Sequence, residues 1–284
     1  MSSRTRRSYD VISSLPDAII CHILSFLPTK QVVATSVLSK RWKHHWRSVP
    51  DIDLTDDQDV QQTDAIELDD RDSLSPFNEF VDSVLIKLDS IKSFRLKVGY
   101  NGSDLAYLGF PKVVDWLDQV VKRGVERILL TLFSGVGMKL PVSILNCKTL
   151  VELNLFSFNV KGFSSVRLPS LKILHLEECT FLNARDLVFL LAGCPILEDL
   201  HTFGIEFLSE DSLTYTECES LSLSKLTKAE MPFTYCHFPL KALHNVEKLH
   251  IEINQVWNLL LLYEHTNSDG IEEKNMLILF LLCF

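Results

Sequence analysis

The chain has 284 residues, a formal net charge of −9 and 46% hydrophobic residues, enough for one small domain and one larger one. The acidic balance argues against broad nucleic-acid binding. The longest apolar stretch, the closing MLILFLLCF, is nine residues, well short of the roughly 20 that span a bilayer, so no membrane protein is expected.

The N-terminus, MSSRTRRS, is basic but leads into no apolar signal region. Residues 1–9 read as a basic tail, with Arg4, Arg6 and Arg7 leaving nuclear import open beside simple solvation. Seven cysteines are scattered, odd in number and never in CxxC; neither a disulfide framework nor a zinc site follows, and a reducing compartment is the natural reading.

Residues 10–47 carry more apolar surface than so short a segment can bury alone. Ser14 precedes Leu15–Pro16, and proline suits the first turn of a helix. Leu15, Ile19, Ile23 and Phe26 then form one stripe at helical spacing, and Ile20, Leu24 and Leu27 a second. Leu27–Pro28 ends that helix. Thr29 is placed to cap a second helix bearing Val33, Val37 and Leu38, and Ser39 a third, KRWKHHWR. One stripe can face the neighbouring helices; the other needs a partner, or a larger core. The pattern alone leaves both open, as it does for Trp42 and Trp46.

The run LPDAIICHILSFLPTKQVVATSVLSKRWKHHW closely resembles an F-box, in the form common among plant F-box proteins with leucine-rich repeats. The matching elements are Leu15–Pro16, the run Ile23-Leu24-Ser25-Phe26-Leu27-Pro28, and Ser36-Val37-Leu38-Ser39-Lys40-Arg41-Trp42. The resemblance implies a three-helix F-box over residues 10–50 that docks the Skp-type adaptor of a cullin-RING (SCF) ubiquitin ligase. The implied contacts are Leu15, Pro16, Ile19, Ile23, Leu24, Leu27, Pro28, Val37 and Trp42.

Residues 51–72 hold ten acidic side chains and one arginine. Self-repulsion and low hydrophobicity predict an exposed linker over 51–74. Order resumes near Ser75–Pro76 with a helix carrying Phe77, Phe80, Val81, Val84, Leu85 and Leu88. A strand is predicted over 93–100, a helix over about 111–123 closed by Gly124, and a strand from Val125 to Phe133.

The chain then repeats itself. Leu150-x-x-Leu153-x-Leu155 and Leu171-x-x-Leu174-x-Leu176 share LxxLxL, and the second continues through Cys179 to Phe181 in the leucine-rich-repeat signature. Weaker copies start at Ile91, Val125, Leu197, Leu223 and Val246. Each unit lays one short strand in a shared parallel sheet and cannot close its own core, so the units stack. The expected fold is α+β: a three-helix unit followed by an irregular α/β leucine-rich-repeat solenoid over 75–256. LPSLKILHLEECTF, LLAGCPILEDL and WLDQVVKRGVERILL resemble plant F-box/LRR proteins, particularly those whose C-terminus carries an FBD domain. No FBD-like segment is recognisable in 257–284, which is expected to be an atypical tail, either a shortened form or a strand over the last repeat.

No phosphate loop, nucleophile elbow, HExxH or paired CxxC occurs. His44 and His45 are adjacent on a helix and point about 100° apart, unsuited to sharing a metal. Cys179 fills a repeat turn and Cys194 a turn before Pro195; Asp17, Glu177 and Glu178 read as surface carboxylates. No catalytic residue, metal or cofactor is expected. The resemblance implies a non-catalytic substrate receptor, in the nucleus or cytoplasm, with adaptor, cullin, RING subunit and an unidentified target as partners. Two alternatives stay open: an interaction protein that occupies the adaptor without delivering a target, and a small-molecule receptor.

Overall fold

The computed structural model describes residues 14–55, 71–88, 90–100, 103–134, 137–209, 213–214, 221–232 and 238–251. The basic tail, most of the acidic segment and the C-terminal tail lie outside them. Three short helices open the chain: α1 (Asp17–Leu24), α2 (Thr29–Ala34) and α3 (Trp42–His45). Their ends depart from expectation in detail. Pro16 and Pro28 stand at the N-cap positions of α1 and α2 with no side-chain cap. Thr29 is already helical, and its hydroxyl is used elsewhere. Ser39 does act as predicted, its Oγ accepting from the Trp42 N–H at 3.4 Å.

After α3 the chain enters β1 (Asp51–Thr55), α4 (Arg71–Lys87), β2 (Ser93–Tyr100), α5 (Ser103–Lys122), β3 (Arg127–Ser134), β4 (Met138–Lys139) and α6 (Val142–Leu145). The repeats continue with β5 (Glu152–Phe156), β6 (Phe158–Val160), β7 (Ile173–Glu177), β8 (Thr180–Phe181), α7 (Ala184–Ala192), β9 (Asp199–Phe203), β10 (Glu206–Phe207), β11 (Lys228–Met231) and β12 (Lys248–Ile251). Among the described residues, eight strands make one parallel sheet in the order β1-β2-β3-β5-β7-β9-β11-β12, and β10-β8-β6-β4 make a second, smaller one. No helix among them is long and apolar enough to cross a membrane.

Register explains the repeat. Ile52, Phe94, Ile128, Leu153, Leu174, Leu200, Ala229 and Leu249 are successive partners across the main sheet. All but the last, on the edge strand β12, are buried. Alternate residues point the other way, as the period of two in a strand requires.

This register corrects two readings. The acidic segment does not begin as a linker: residues 51–55 are a strand, and Val49-x-x-Ile52-x-Leu54 is a further repeat hidden between carboxylates. The copy assigned to Leu223-x-x-Leu226 is three residues out. Ala229 pairs with Leu200, so the unit is Leu226-x-x-Ala229-x-Met231. Leu223 instead matches a position three residues ahead of each unit, held by buried Trp46, Leu88, Cys147, Leu168, Cys194 and Leu243; Lys122 is the exception.

One backbone ladder ties the units together. Lys92 N–H donates to Pro50 C=O at 2.9 Å, Glu126 to Lys92 at 2.9 Å, Val151 to Glu126 at 2.7 Å, Lys172 to Val151 at 2.8 Å and Glu198 to Lys172 at 2.8 Å. Each of three middle strands then turns on a residue with positive φ, Ser157 (65°), Glu178 (51°) and Gly204 (61°). Behind each turn a buried plug follows: Phe158, Cys179 and Ile205.

Two helices are longer than predicted. α4 starts before Pro76 and α5 before Pro111, each proline lying inside its helix. Packing outweighs the proline penalty here. Ala106, Val113, Trp116, Leu117 and Val120 of α5 are buried, and Trp116 Nε1 (2.7 Å) and Lys112 Nζ (2.9 Å) both donate to the Asp82 carboxylate on α4.

The predicted break at Gly193 holds for a different reason from the usual one. Its φ is −74°, so no left-handed turn demands glycine. A Cβ there would lie 2.4 Å from Val166 Cγ1 and 2.9 Å from the Val166 carbonyl. Gly193→Ala should therefore overpack this seam and cost about 1–3 kcal/mol in urea unfolding.

Candidate functional site

The two stripes of α1 part company in space. Ile20 and Leu24 are fully buried, whereas Ile19 and Ile23 are 44% and 42% exposed and Phe26 is 74% exposed. Beyond α2, Val37 and Leu38 are 84% and 67% exposed. Large apolar side chains gathered this way on a small helical unit mark an interaction surface. Burying a large aliphatic side chain is worth roughly 1.5–3 kcal/mol.

The nominated contacts divide accordingly. Pro16, Ile19, Ile23, Pro28 and Val37 are exposed, and Leu15 and Leu27 are half-buried. Leu24 and Trp42 are not available: Leu24 has no exposed surface and Trp42 is 6% exposed, both inside the core that joins the helices to the sheet. They are corrected to packing residues. Trp46 lies in the same core. Phe26 and Leu38 belong on the surface list. Phe26 completes the Leu15–Ile19–Ile23 stripe, a signal the sequence carried; Leu38 sits beside Val37 with nothing in the spacing to separate inward from outward.

The entry to α1 is held from α3. The Arg41 guanidinium donates to the Leu15 carbonyl and to the Asp17 carboxylate, and His45 Nε2 stands 3.5 Å from the same carboxylate. The hydrogen bond from Arg41, with its charge, holds the Asp17 carboxyl below its usual range. Asp17 is thus more than a bare surface charge: it orients the end of the helix that displays Ile19 and Ile23. The His22 and Phe26 rings meet edge-on at 4.9 Å, which orients Phe26.

The cysteines behave as the repeat reading requires. Burial pushes the Cys179 and Cys194 thiols up to about 12. Cys179 Sγ lies 3.4 Å from the Glu177 carbonyl and Cys194 Sγ 3.3 Å from that of Leu190. Neither forms a thiolate near neutrality. Brief iodoacetamide treatment near pH 8 should modify Cys21, which is half-buried, and spare Cys147, Cys179 and Cys194. Peptide mass mapping before and after denaturation checks this. Among the described residues, no group of three or more His, Cys, Asp or Glu is arranged to hold a metal.

Comparison with known proteins matches two stretches of the chain. The F-box domain family matches residues 12–53, and the family described as "FBD-associated F-box protein At5g56370, LRR repeats" matches residues 113–231. The F-box/LRR-repeat protein At4g14096 of Arabidopsis thaliana is 36% identical over 228 residues, covering 78% of this chain and 46% of the relative. The F-box/LRR-repeat protein At4g14103 of the same plant is 40% identical over 232 residues, covering 79% and 58%. The F-box/FBD/LRR-repeat protein At4g00160, also from Arabidopsis thaliana, is 35% identical over 224 residues, covering 77% and 46%. The chain therefore spans about half the length of the curated relatives it matches. The helices that turn one apolar stripe outward thus fall in the match to the F-box domain, and the repeat strands β5, β7, β9 and β11 of the parallel sheet fall in the match to the leucine-rich repeats of FBD-associated F-box proteins.

Proposed function

We propose that this chain is the substrate-recognition subunit of an SCF-type E3 ubiquitin ligase, acting in the nucleus or cytoplasm. Its F-box holds a Skp-type adaptor, and through it cullin and RING subunits, while the repeats hold a target protein. The observation that supports this reading best is the outward stripe Ile19–Ile23–Phe26 beside an inward stripe that is already satisfied. The chain itself makes and breaks no bond. Tethering raises the effective concentration of target lysines at the ubiquitin-charged enzyme and makes transfer nearly intramolecular.

Affinity purification of the whole chain beside Ile23→Asp tests it. The parent chain should bring down adaptor and cullin, and the variant neither, because a carboxylate cannot be desolvated in an apolar seat. A protein bound by both forms that accumulates in cells carrying the variant is the target. Equal recovery of adaptor with both forms would overturn the assignment of this face.

A further inference from the structure

The main sheet has two faces. One is packed; on the other, alternate residues of β5, β7 and β9 reach the surface. There Asn154 stands beside His175, and His175 beside His201. Asn154 Nδ2 donates to Glu152 Oε1 at 2.9 Å, which leaves Asn154 Oδ1 as the turned-away acceptor. Asp199 Oδ2 accepts from Lys228 Nζ at 3.1 Å, while Asp199 Oδ1 lies 4.0 Å from His175 Nε2. Asn154 Oδ1, His175 Nε2 and Asp199 Oδ1 are all enclosed, and none has a hydrogen-bond partner. An unmade hydrogen bond at an enclosed polar atom is costly and calls for an explanation. The side chains still reach the surface, His175 being 32% and Asp199 24% exposed.

Carboxylates flank this trio. His201 sits between Glu177 (3.9 Å) and Glu230 (3.5 Å), and His250 is 3.7 Å from Glu230. The imidazoles and carboxylates alternate across β7, β9, β11 and β12. Facing the group are also Glu152 from β5 and Lys228 from β11, with Lys248 of β12 in register beside Lys228. Burial holds the His175 ring below the usual imidazole range, the Asp199 charge opposing it only in part. A neutral ring protonated at Nδ1 offers a lone pair at Nε2. Three acceptors and two carboxylates with imidazole partners thus ask for a planar cation with several N–H donors, which is what a guanidinium supplies.

We propose that this face docks a basic, extended segment of a target protein through one arginine, whose guanidinium lies over the partly exposed side chains of Asn154, His175 and Asp199 and draws their unpaired acceptors outward to meet it. Glu177 and Glu230 face the segment's flanking basic side chains. The proposal rests on the reading of the repeats as the target-holding domain and names the chemistry they select. It also makes docking pH-dependent. As pH falls below the usual imidazole range His175 gains a proton; the lone pair at Nε2 is lost and positive charge replaces a neutral ring. Docking is therefore strongest above that range and weakens below it.

The test uses the full chain and three short fluorescent serine–glycine peptides carrying arginines, lysines or citrullines at the same places, followed by anisotropy. Near pH 7.5 the arginine peptide should bind, the lysine peptide about tenfold more weakly, and the citrulline peptide weakest of all. Asn154→Leu and Asp199→Asn should each weaken the arginine peptide about tenfold. Lowering the pH well below the usual imidazole range should also weaken binding to the parent chain. Asp199→Asn removes one of 37 acidic residues, so a general attraction between an acidic protein and a basic peptide would hardly notice it. Equal binding of the citrulline peptide, parent-like binding by both variants with unchanged melting curves, or tighter binding at acid pH would each overturn the proposal. Adaptor capture on the same preparations separates the two readings. A chain that captures the adaptor but ignores arginine overturns this surface alone; one that binds arginine but no adaptor supports the surface and overturns the ligase role.

Discussion

Ile20→Ala/Leu24→Ala and Ile19→Ala/Ile23→Ala are expected to fail in opposite ways, although all four residues lie on the same two turns of α1. Ile20 and Leu24 have no exposed surface, and truncating a buried large aliphatic side chain typically costs about 2–5 kcal/mol. The inner pair should melt the F-box helices and lose adaptor capture because the fold is gone. Ile19 and Ile23 are already more than two-fifths exposed, so their truncation should shift stability by roughly 0.5 kcal/mol or less per site. Adaptor affinity should nonetheless fall roughly thirty- to hundredfold, at about 1 kcal/mol or a little more for each contact removed. Urea unfolding and adaptor titration on the same two proteins would show it. If the outer pair unfolds the chain, the stripes have been assigned the wrong way round.

Thr29→Val should uncouple the F-box from the sheet. Among the described residues β1 is one of the two edge strands of the main sheet, and an edge leaves backbone groups unpaired. The Asp53 N–H donates to Thr29 Oγ1 at 2.8 Å, and Thr29 is itself buried, 4% exposed. Valine keeps the shape and removes the acceptor, leaving a covered N–H with nothing to bond. The expected loss is about 2 kcal/mol, within the range for an orphaned buried donor. Hydrogen exchange at the Asp53 amide should quicken far more than exchange in β5 or β7. Unchanged protection at Asp53 would mean that another group, or water, satisfies that N–H.

Much of this was legible in the residues because apolar spacing dominated. The two stripes of α1, the bounds of β2 and the LxxLxL strands β5 and β7 follow from period alone. The failures have separate causes. β1 was hidden because Ile52 and Leu54 alternate with Asp51 and Asp53, so composition read as linker where period read as strand. The Leu226 unit was misplaced because Ala229 and Met231, both buried, occupy leucine positions with weaker signals, while Leu223 mimics a start. Pro111 looked like a helix start, yet tertiary packing carries α5 through it. Leu24 and Trp42 match the motif yet face inward, because a motif identifies which residues matter but not which way each one faces.

The open face was the least legible. Asn154, His175 and Asp199 stand in different repeats, and only the strand register brings them together. No spacing within one repeat announces that an amide will stand beside an imidazole, and that imidazole near a carboxylate.

Trp46 and Val49 take the two leading apolar positions of the first sheet unit while closing the helical one, and Pro50 C=O accepts the first rung of the ladder. The two modules therefore overlap in sequence rather than abut. A one-residue insertion between Trp46 and Ile52 would turn β1 over and present Asp51 and Asp53 to the interior. Chimaeras that exchange repeat domains between relatives should accordingly be spliced after Thr55; a junction at residue 50 would hand the recipient half a repeat.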